Sequence, residues 1–211
     1  MSENYIDTIA NEKIYPIIRC KSADETVEIA KALVDGGIKV LEINVENVSI
    51  YEAINEVSKF TTVCAGGIIT STQADYALKN GAKLFASPLF DMNLVRISKN
   101  LRIPFIAGTT TANEAYSAWK SRIPLIKIFP AEAMGGYSYI ENILRQMPFL
   151  NLMPMGNIKL ADVVSYLKAG AVAVGVGRDF YQGFTPREIT NRTKEILSEV
   201  RDFSEWNKKL I

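Results

Sequence analysis

Eight short apolar runs punctuate this chain, and helical patterning fills the spaces between them. The runs are Tyr15–Cys20, Val40–Asn44, Thr61–Cys64, Leu84–Ala86, Pro104–Ala107, Pro124–Phe129, Leu150–Met153 and Ala171–Val174. Most are nearly continuous in apolar residues rather than alternating. A strand with one wet face alternates; a strand covered on both faces does not. The runs therefore read as parallel strands buried under helices. Amphipathic stretches at Ala23–Val34, Ser71–Leu78, Ala112–Trp119, Tyr139–Gln146 and Leu160–Leu167 supply such helices. Ser22, Ser71, Thr111 and Lys159 stand at the expected N-caps; the first three can accept from free helix amides and the lysine cannot. Asp35-Gly-Gly37, Asn80-Gly81 and Ala169-Gly170 offer the left-handed position where a helix ends. These glycine marks recur at close to whole multiples of one strand–helix unit.

Eight such units predict a single small (β/α)8 barrel, an α/β fold, spanning residues 1–211 as one domain with a short helix at each end. An open, doubly wound sheet holding a dinucleotide would want a glycine fingerprint after the first strand. Here Cys20-Lys21-Ser22 follows it. No low-complexity or Pro/Ser-rich linker divides the chain.

Composition narrows the chemistry. The chain has 24 Lys and Arg against 23 Asp and Glu, so it carries no field suited to nucleic acid or an anionic membrane. It contains no histidine. That removes the Ser-His-Asp triad, the Cys-His pair and imidazole zinc sites. Proton transfer would fall to carboxylates, Lys, Tyr, Cys or water. The 2 cysteines, Cys20 and Cys64, sit in apolar runs and read as buried, reduced side chains. Met1 to Ala10 lacks the apolar stretch of a signal peptide, and no segment approaches about 18 uncharged apolar residues. A cytoplasmic location is expected.

In a barrel of this kind the site lies at the C-terminal ends of the strands. Lys127, inside Leu125-Ile-Lys-Ile-Phe-Pro130, is the sharpest candidate. Desolvation disfavours an ammonium, and a neutral lysine attacks ketones to form a Schiff base. Snorkelling, or pairing with a carboxylate, is the alternative. Glu42, inside Val40-Leu-Glu-Ile-Asn-Val45, could pass protons near that lysine or form a purely structural ion pair with it. Arg19 could hold a carboxylate or phosphate, or make a surface ion pair. Gly156-Asn157 and Gly175-Val176-Gly177-Arg178 follow the last two expected strands, where backbone amides often meet a phosphate; plain tight turns are the alternative. Cys64-Ala-Gly-Gly67 would line the same mouth.

These residues resemble the 2-keto-3-deoxy-6-phosphogluconate aldolases, also called 4-hydroxy-2-oxoglutarate aldolases. The similarity runs from about Ile14 to Tyr181 and rests on Gly36-Gly-Ile-Lys-Val-Leu-Glu42, Ala65-Gly66, Ser87-Pro88, Lys127-Ile-Phe-Pro-Ala-Glu132, Gly135-Gly136 and Gly175-Val-Gly177. The resemblance implies a metal-independent class I aldolase without cofactor, usually trimeric, acting on a small keto acid and releasing pyruvate. It implies Lys127 as the Schiff-base lysine and Glu42 as the general acid/base. Arg19, Gly67, Ser87, Pro88, Phe129, Met155 and Gly156 would contact substrate. Gly156, Asn157, Gly175, Val176, Gly177 and Arg178 would hold a 6-phosphate. The chain departs from the family pattern at Gly67, Met155 and Asn157, where many members have Thr, Thr and Gly. It has Glu46 where many have Arg, and Arg178 where Ser is frequent. Glu46 is expected to repel an anionic substrate. Two other readings stand beside the aldolase: a catalytically weak sugar-acid-binding or regulatory paralogue on the same barrel, and a phosphate-binding isomerase or epimerase.

Overall fold

The computed structural model describes residues 4–208. Helix α1 (Tyr5–Glu12) precedes strand β1 (Ile14–Ile18). There follow α2 (Ala23–Asp35), β2 (Val40–Asn44), α3 (Ile50–Val57), β3 (Thr62–Gly66), α4 (Ser71–Lys79) and β4 (Leu84–Ala86). Then come α5 (Met92–Leu101), β5 (Phe105–Thr109), α6 (Ala112–Lys120), β6 (Ile126–Ile128), α7 (Gly136–Gln146) and β7 (Leu152–Pro154). The series ends with α8 (Val163–Lys168), β8 (Val174–Val176) and α9 (Pro186–Lys208).

The strands are parallel neighbours in the order β7-β6-β5-β4-β3-β2-β1-β8. A parallel bridge between Met155 and Gly175, with Val172 N–H donating to the Leu152 carbonyl at 2.9 Å, brings β7 to β8 and closes the ring. The expected (β/α)8 barrel is therefore present.

The alternation hidden in the apolar runs emerges once the ring is closed. Successive side chains point to opposite faces. Ile14, Ile18, Leu41, Ile43, Val63 and Ala65 belong to the outer core under the helices. Tyr15, Val40, Cys64, Leu84, Ile106, Leu125 and Met153 belong to a separate inner core. Both faces are dry, so both are apolar. Tyr5, Ile6 and Ile9 of α1 pack on that inner core and close the N-terminal end of the barrel. The opposite end opens on a cavity of about 670 Å³.

Several boundaries differ from expectation. Thr70, not Ser71, caps α4: its hydroxyl accepts from Gln73 N–H, and the Gln73 side chain accepts from Thr70 N–H. Ser22 and Thr111 cap α2 and α6 as expected. Lys159 precedes a 3-10 turn, Leu160–Asp162, and makes no side-chain cap; α8 proper starts at Val163. Gly37, Gly81 and Gly170 take the positive φ anticipated for them. Helices α3 and α5 were not among those expected. In α3, Ile50, Ala53, Ile54 and Val57 form one buried face, a signal confined to eight residues. The eighth strand is shifted from Ala171–Val174 to Val174–Val176, because pairing with β1 sets Tyr15 opposite Gly175 and Pro16 opposite Val176. Gly175 and Val176 thus lie within the strand rather than after it. The C-terminal helix is not short. It runs 23 residues and packs on α2, with Thr193 buried against Gly36.

Candidate active site

Glu42 and Lys127 occupy inner-face positions of β2 and β6, in step with Val40 and Leu125. Their side chains meet inside the barrel, with Lys127 Nζ 3.5 Å from Glu42 Oε1. The glutamate side chain is 0% exposed and the lysine 7%. Such a pair persists in a dry interior because each charge offsets the desolvation of the other. The Lys127 Nζ also lies 5.6 Å from the centre of the Phe129 ring. Room for the carboxylate comes from β3: a Cβ on Gly66 would collide with Glu42 Oε1 and lie 2.6 Å from its Cγ.

Beneath the pair sit Tyr15 and Cys64, both fully buried. Burial pushes the Tyr15 phenol well above its ordinary range, and the Cys64 and Glu42 charges add to this. Burial likewise raises the Cys64 thiol, with Glu42 adding. Cys20 is buried too, its thiol pushed up to about 11 chiefly by burial. Neither cysteine is a thiolate at neutral pH, as expected of inert buried side chains.

Above Lys127 a cavity of about 670 Å³ opens at the C-terminal ends of the strands. Its wall contains Arg19, Asn44, Phe129, Met155, Gly156, Asn157, Gly177 and Arg178. The sequence candidates Glu42, Gly67, Ser87, Pro88, Gly175 and Val176 are not among the cavity-lining residues; Glu42 lies behind Lys127, fully buried. Val176 packs into the outer core. Gly175 fills a crowded spot where a Cβ would lie 2.7 Å from Met155 Cβ. Ser87 is fully buried and accepts from Leu89 N–H at 3.2 Å, shaping the turn after β4. That turn presses on β5, where a Cβ on Gly108 would collide with the Pro88 carbonyl.

Arg19 stands just beyond β1, its N–H donating to Tyr181 Oη at 2.9 Å. Its guanidinium is half-exposed and pairs with Glu46, Nε to Oε1 3.3 Å. Glu46, expected to repel an anionic substrate, is the ion-pair partner of the rim arginine. Asp179 is similarly engaged. It accepts from Leu160 N–H at 2.9 Å and lies 3.7 Å from Arg192 Nη2. The charged groups of the wall are Arg19, Lys127, Lys159, Arg178 and this one acid. A ligand with more than one negative charge suits such a wall.

The motif around Lys127 divides into chemistry and bracing. Thr110 Oγ1 donates to the Phe129 carbonyl at 2.9 Å, and Tyr139 Oη donates to the Thr110 carbonyl at 2.8 Å. Glu132 accepts from the buried Tyr166 hydroxyl at 2.8 Å and ties the loop after β6 to α8. Sequence reasoning missed Tyr15, Asn44 and Lys159. Asn44 carried a usable signal, since it is two residues beyond Glu42 on the same strand face. Tyr15 read only as part of an apolar run. Among the described residues, no cluster of three or more Cys, Asp or Glu side chains is arranged to hold a metal ion.

Comparison with known proteins follows the same lines. The family model for KDPG and KHG aldolase matches residues 6–192. A 2-dehydro-3-deoxy-phosphogluconate aldolase of Haemophilus influenzae is 28% identical over 208 residues, covering 95% of this chain and 98% of that protein. The KHG/KDPG aldolase of Escherichia coli is 30% identical over 162 residues, covering 75% and 76%. Among solved structures, the 2-keto-3-deoxy-6-phospho-gluconate aldolase of Zymomonas mobilis superposes with a TM-score of 0.84 at 24% identity, over 92% of this chain and 96% of that one. That last likeness is one of fold.

Proposed function

The chain belongs to the KDPG and KHG aldolase family, and from that premise we propose that it cleaves a 2-keto-3-deoxy sugar acid, 6-phosphorylated, or 4-hydroxy-2-oxoglutarate, through a Schiff base on Lys127. The observation that carries the reading is the buried Lys127–Glu42 pair, whose lysine lines a cavity with Arg19, Lys159 and Arg178 also in its wall.

The chemistry follows from the parts. Lys127 passes a proton to Glu42, directly or through water, and its amine adds to the substrate C2 carbonyl; Glu42 then gives that proton to the carbinolamine hydroxyl. Loss of water gives an iminium, which is an electron sink next to C3. Glu42, within reach of the same nitrogen, takes the C4 hydroxyl proton, directly or through water. The C3–C4 electron pair moves into an enamine and the aldehyde leaves. Glu42 returns the proton to C3, and hydrolysis frees pyruvate and the amine. Arg19 at the rim holds the carboxylate end in this reading, with Phe129, Met155 and Gly156 against the chain of the substrate. Asn157, Gly177 and Arg178 face its far anionic end. Gly67, Ser87, Pro88, Gly175 and Val176 act by shaping the backbone around that wall.

The same reading includes one catalytic domain over residues 1–211, no cofactor, a cytoplasmic location and a homotrimer. The part-exposed Tyr116, Trp119 and Phe149 suit a subunit contact, Tyr116 stacked on Trp119 and Phe149 tilted against it with ring centres 4.6 Å apart. No helix among the described residues is long and apolar enough to cross a membrane.

The test is borohydride reduction with pyruvate, read by mass spectrometry, beside a pyruvate-release assay on phosphorylated and unphosphorylated keto acids. An adduct on Lys127 with turnover supports the reading; no adduct on Lys127 sinks it. The Arg19–Glu46 ion pair favours one second reading, a weak sugar-acid-binding or regulatory paralogue, because the rim arginine is already occupied. A trapped adduct without turnover of any keto acid would support that one.

A further inference from the structure

Two oxygens in the barrel interior are buried without a hydrogen-bond partner among the described residues: Tyr15 Oη and Glu42 Oε2. One is a hydroxyl that can donate, and the other is a carboxyl oxygen that can accept. They belong to neighbouring strands. Ile17 of β1 is paired with Glu42 of β2, and Tyr15 lies two residues earlier on the same inward face. Besides apolar side chains, the inner face near them carries Lys127, Asn44 and Cys64, the last with its Sγ toward the Ala65 carbonyl at 4.0 Å. Cys64 and Glu42 both act on the tyrosine hydroxyl, and of the two the carboxylate oxygen is the stronger acceptor. A buried hydroxyl left unpaired is costly, and so is a buried carboxylate oxygen.

We propose that Tyr15 is a positioning residue for Glu42: its hydroxyl donates to Oε2 from below and holds Oε1 toward Lys127. The proposal rests on the reading of Lys127 and Glu42 given above. Burial keeps the phenol protonated far beyond neutral pH, so it stays a donor throughout the working range. The ionisable groups facing Glu42 are Lys127 from β6, Tyr15 from β1 and Cys64 from β3.

The experiment compares wild type and Tyr15→Phe as full-length chains. Pyruvate release from 2-keto-3-deoxy-6-phosphogluconate and from 4-hydroxy-2-oxoglutarate is followed from pH 5 to 9. Loss of the donor should lower kcat by roughly tenfold and leave KM within about twofold. The acidic limb of the kcat profile should move to higher pH by about half a unit or more, because the carboxylate has lost a hydrogen bond to its charged form. Site-specific 3-fluorotyrosine at position 15, a stronger donor of nearly equal size, should move the limb the other way. An unchanged profile in both variants overturns the proposal, whatever their melting temperatures. A wild-type pyruvate adduct on Lys127 beside unchanged profiles sinks the Tyr15 role alone. Absence of the wild-type adduct sinks the imine reading and this proposal with it.

Discussion

Replacing Lys127 by Met should do more than stop the chemistry; it should leave a fully buried carboxylate without its counter-charge. The pair is 3.5 Å apart, and Glu42 has no exposure. At an effective dielectric of about 20, unit charges at that distance attract by roughly 5 kcal/mol. The desolvation of both groups offsets much of this in wild type. Removing one partner withdraws the attraction and keeps the desolvation of the other, which costs about 3–5 kcal/mol. For a chain of this size that lowers Tm by roughly 6–20 °C, at about 2–4 °C per kcal/mol. Thermal and urea denaturation, followed by circular dichroism, would measure it for wild type, Lys127→Met, Glu42→Gln and the double variant. The double variant should recover at least about half of the loss, since an amide costs less to bury than an unpaired carboxylate. A Lys127→Met protein that melts within about 2 °C of wild type would refute the idea that the interior holds a charge pair here. The measurement also separates lost activity from lost structure in the Lys127 variant.

Gly66→Ala should destabilise by about 1–3 kcal/mol and cut kcat by about tenfold or more, because the new methyl occupies the space of Glu42; urea titration and pyruvate release would read the two effects, and wild-type values for both would remove Gly66 from the argument. Glu12, part-buried at the closed end of the barrel, has its carboxyl pushed up to about 7, chiefly by burial and against the opposing Lys39 backbone hydrogen bond and charge. The folded state therefore holds the proton more tightly than the unfolded chain, whose carboxyl titrates near 4.5. Its contribution to stability is whole below pH 4.5 and is lost as pH rises through about 7. The full separation is worth roughly 3 kcal/mol, reduced to roughly 1–2 kcal/mol because solvent reaches the group. Glu12→Gln should gain that amount on wild type between pH 5 and 8, and parallel pH–stability curves would refute it.

Much of the barrel was legible because its strands are dry on both sides. A continuous apolar run then marks a strand, and a charge inside such a run stands out, as Lys127 and Glu42 did. Arg19, Gly156, Asn157, Gly177 and Arg178 were found by their place at strand ends, Phe129 and Met155 by the family resemblance, and all of them line one cavity. Continuous apolarity also hides information. It conceals which alternate residues face inward, so Tyr15 could not be told from its neighbours. Short helices such as α3 offer too few turns for periodicity to stand out. The end of β8 moved because its register is set by β1 and by Met155 across the closure, not by its own residues.

By itself, then, the sequence determined the class of fold, its strand–helix rhythm and the two charges worth watching, because these depend on local composition and spacing. The tertiary structure alone decided that Lys127 and Glu42, 85 residues apart, share one interior. It also decided that Glu46 belongs to Arg19, that Glu132 braces α8 rather than facing substrate, and that a tyrosine lies under the carboxylate. Each of these is a contact between different strands or loops. Closing the ring fixes a register, the register selects the inward face of every strand at once, and no single segment contains that information.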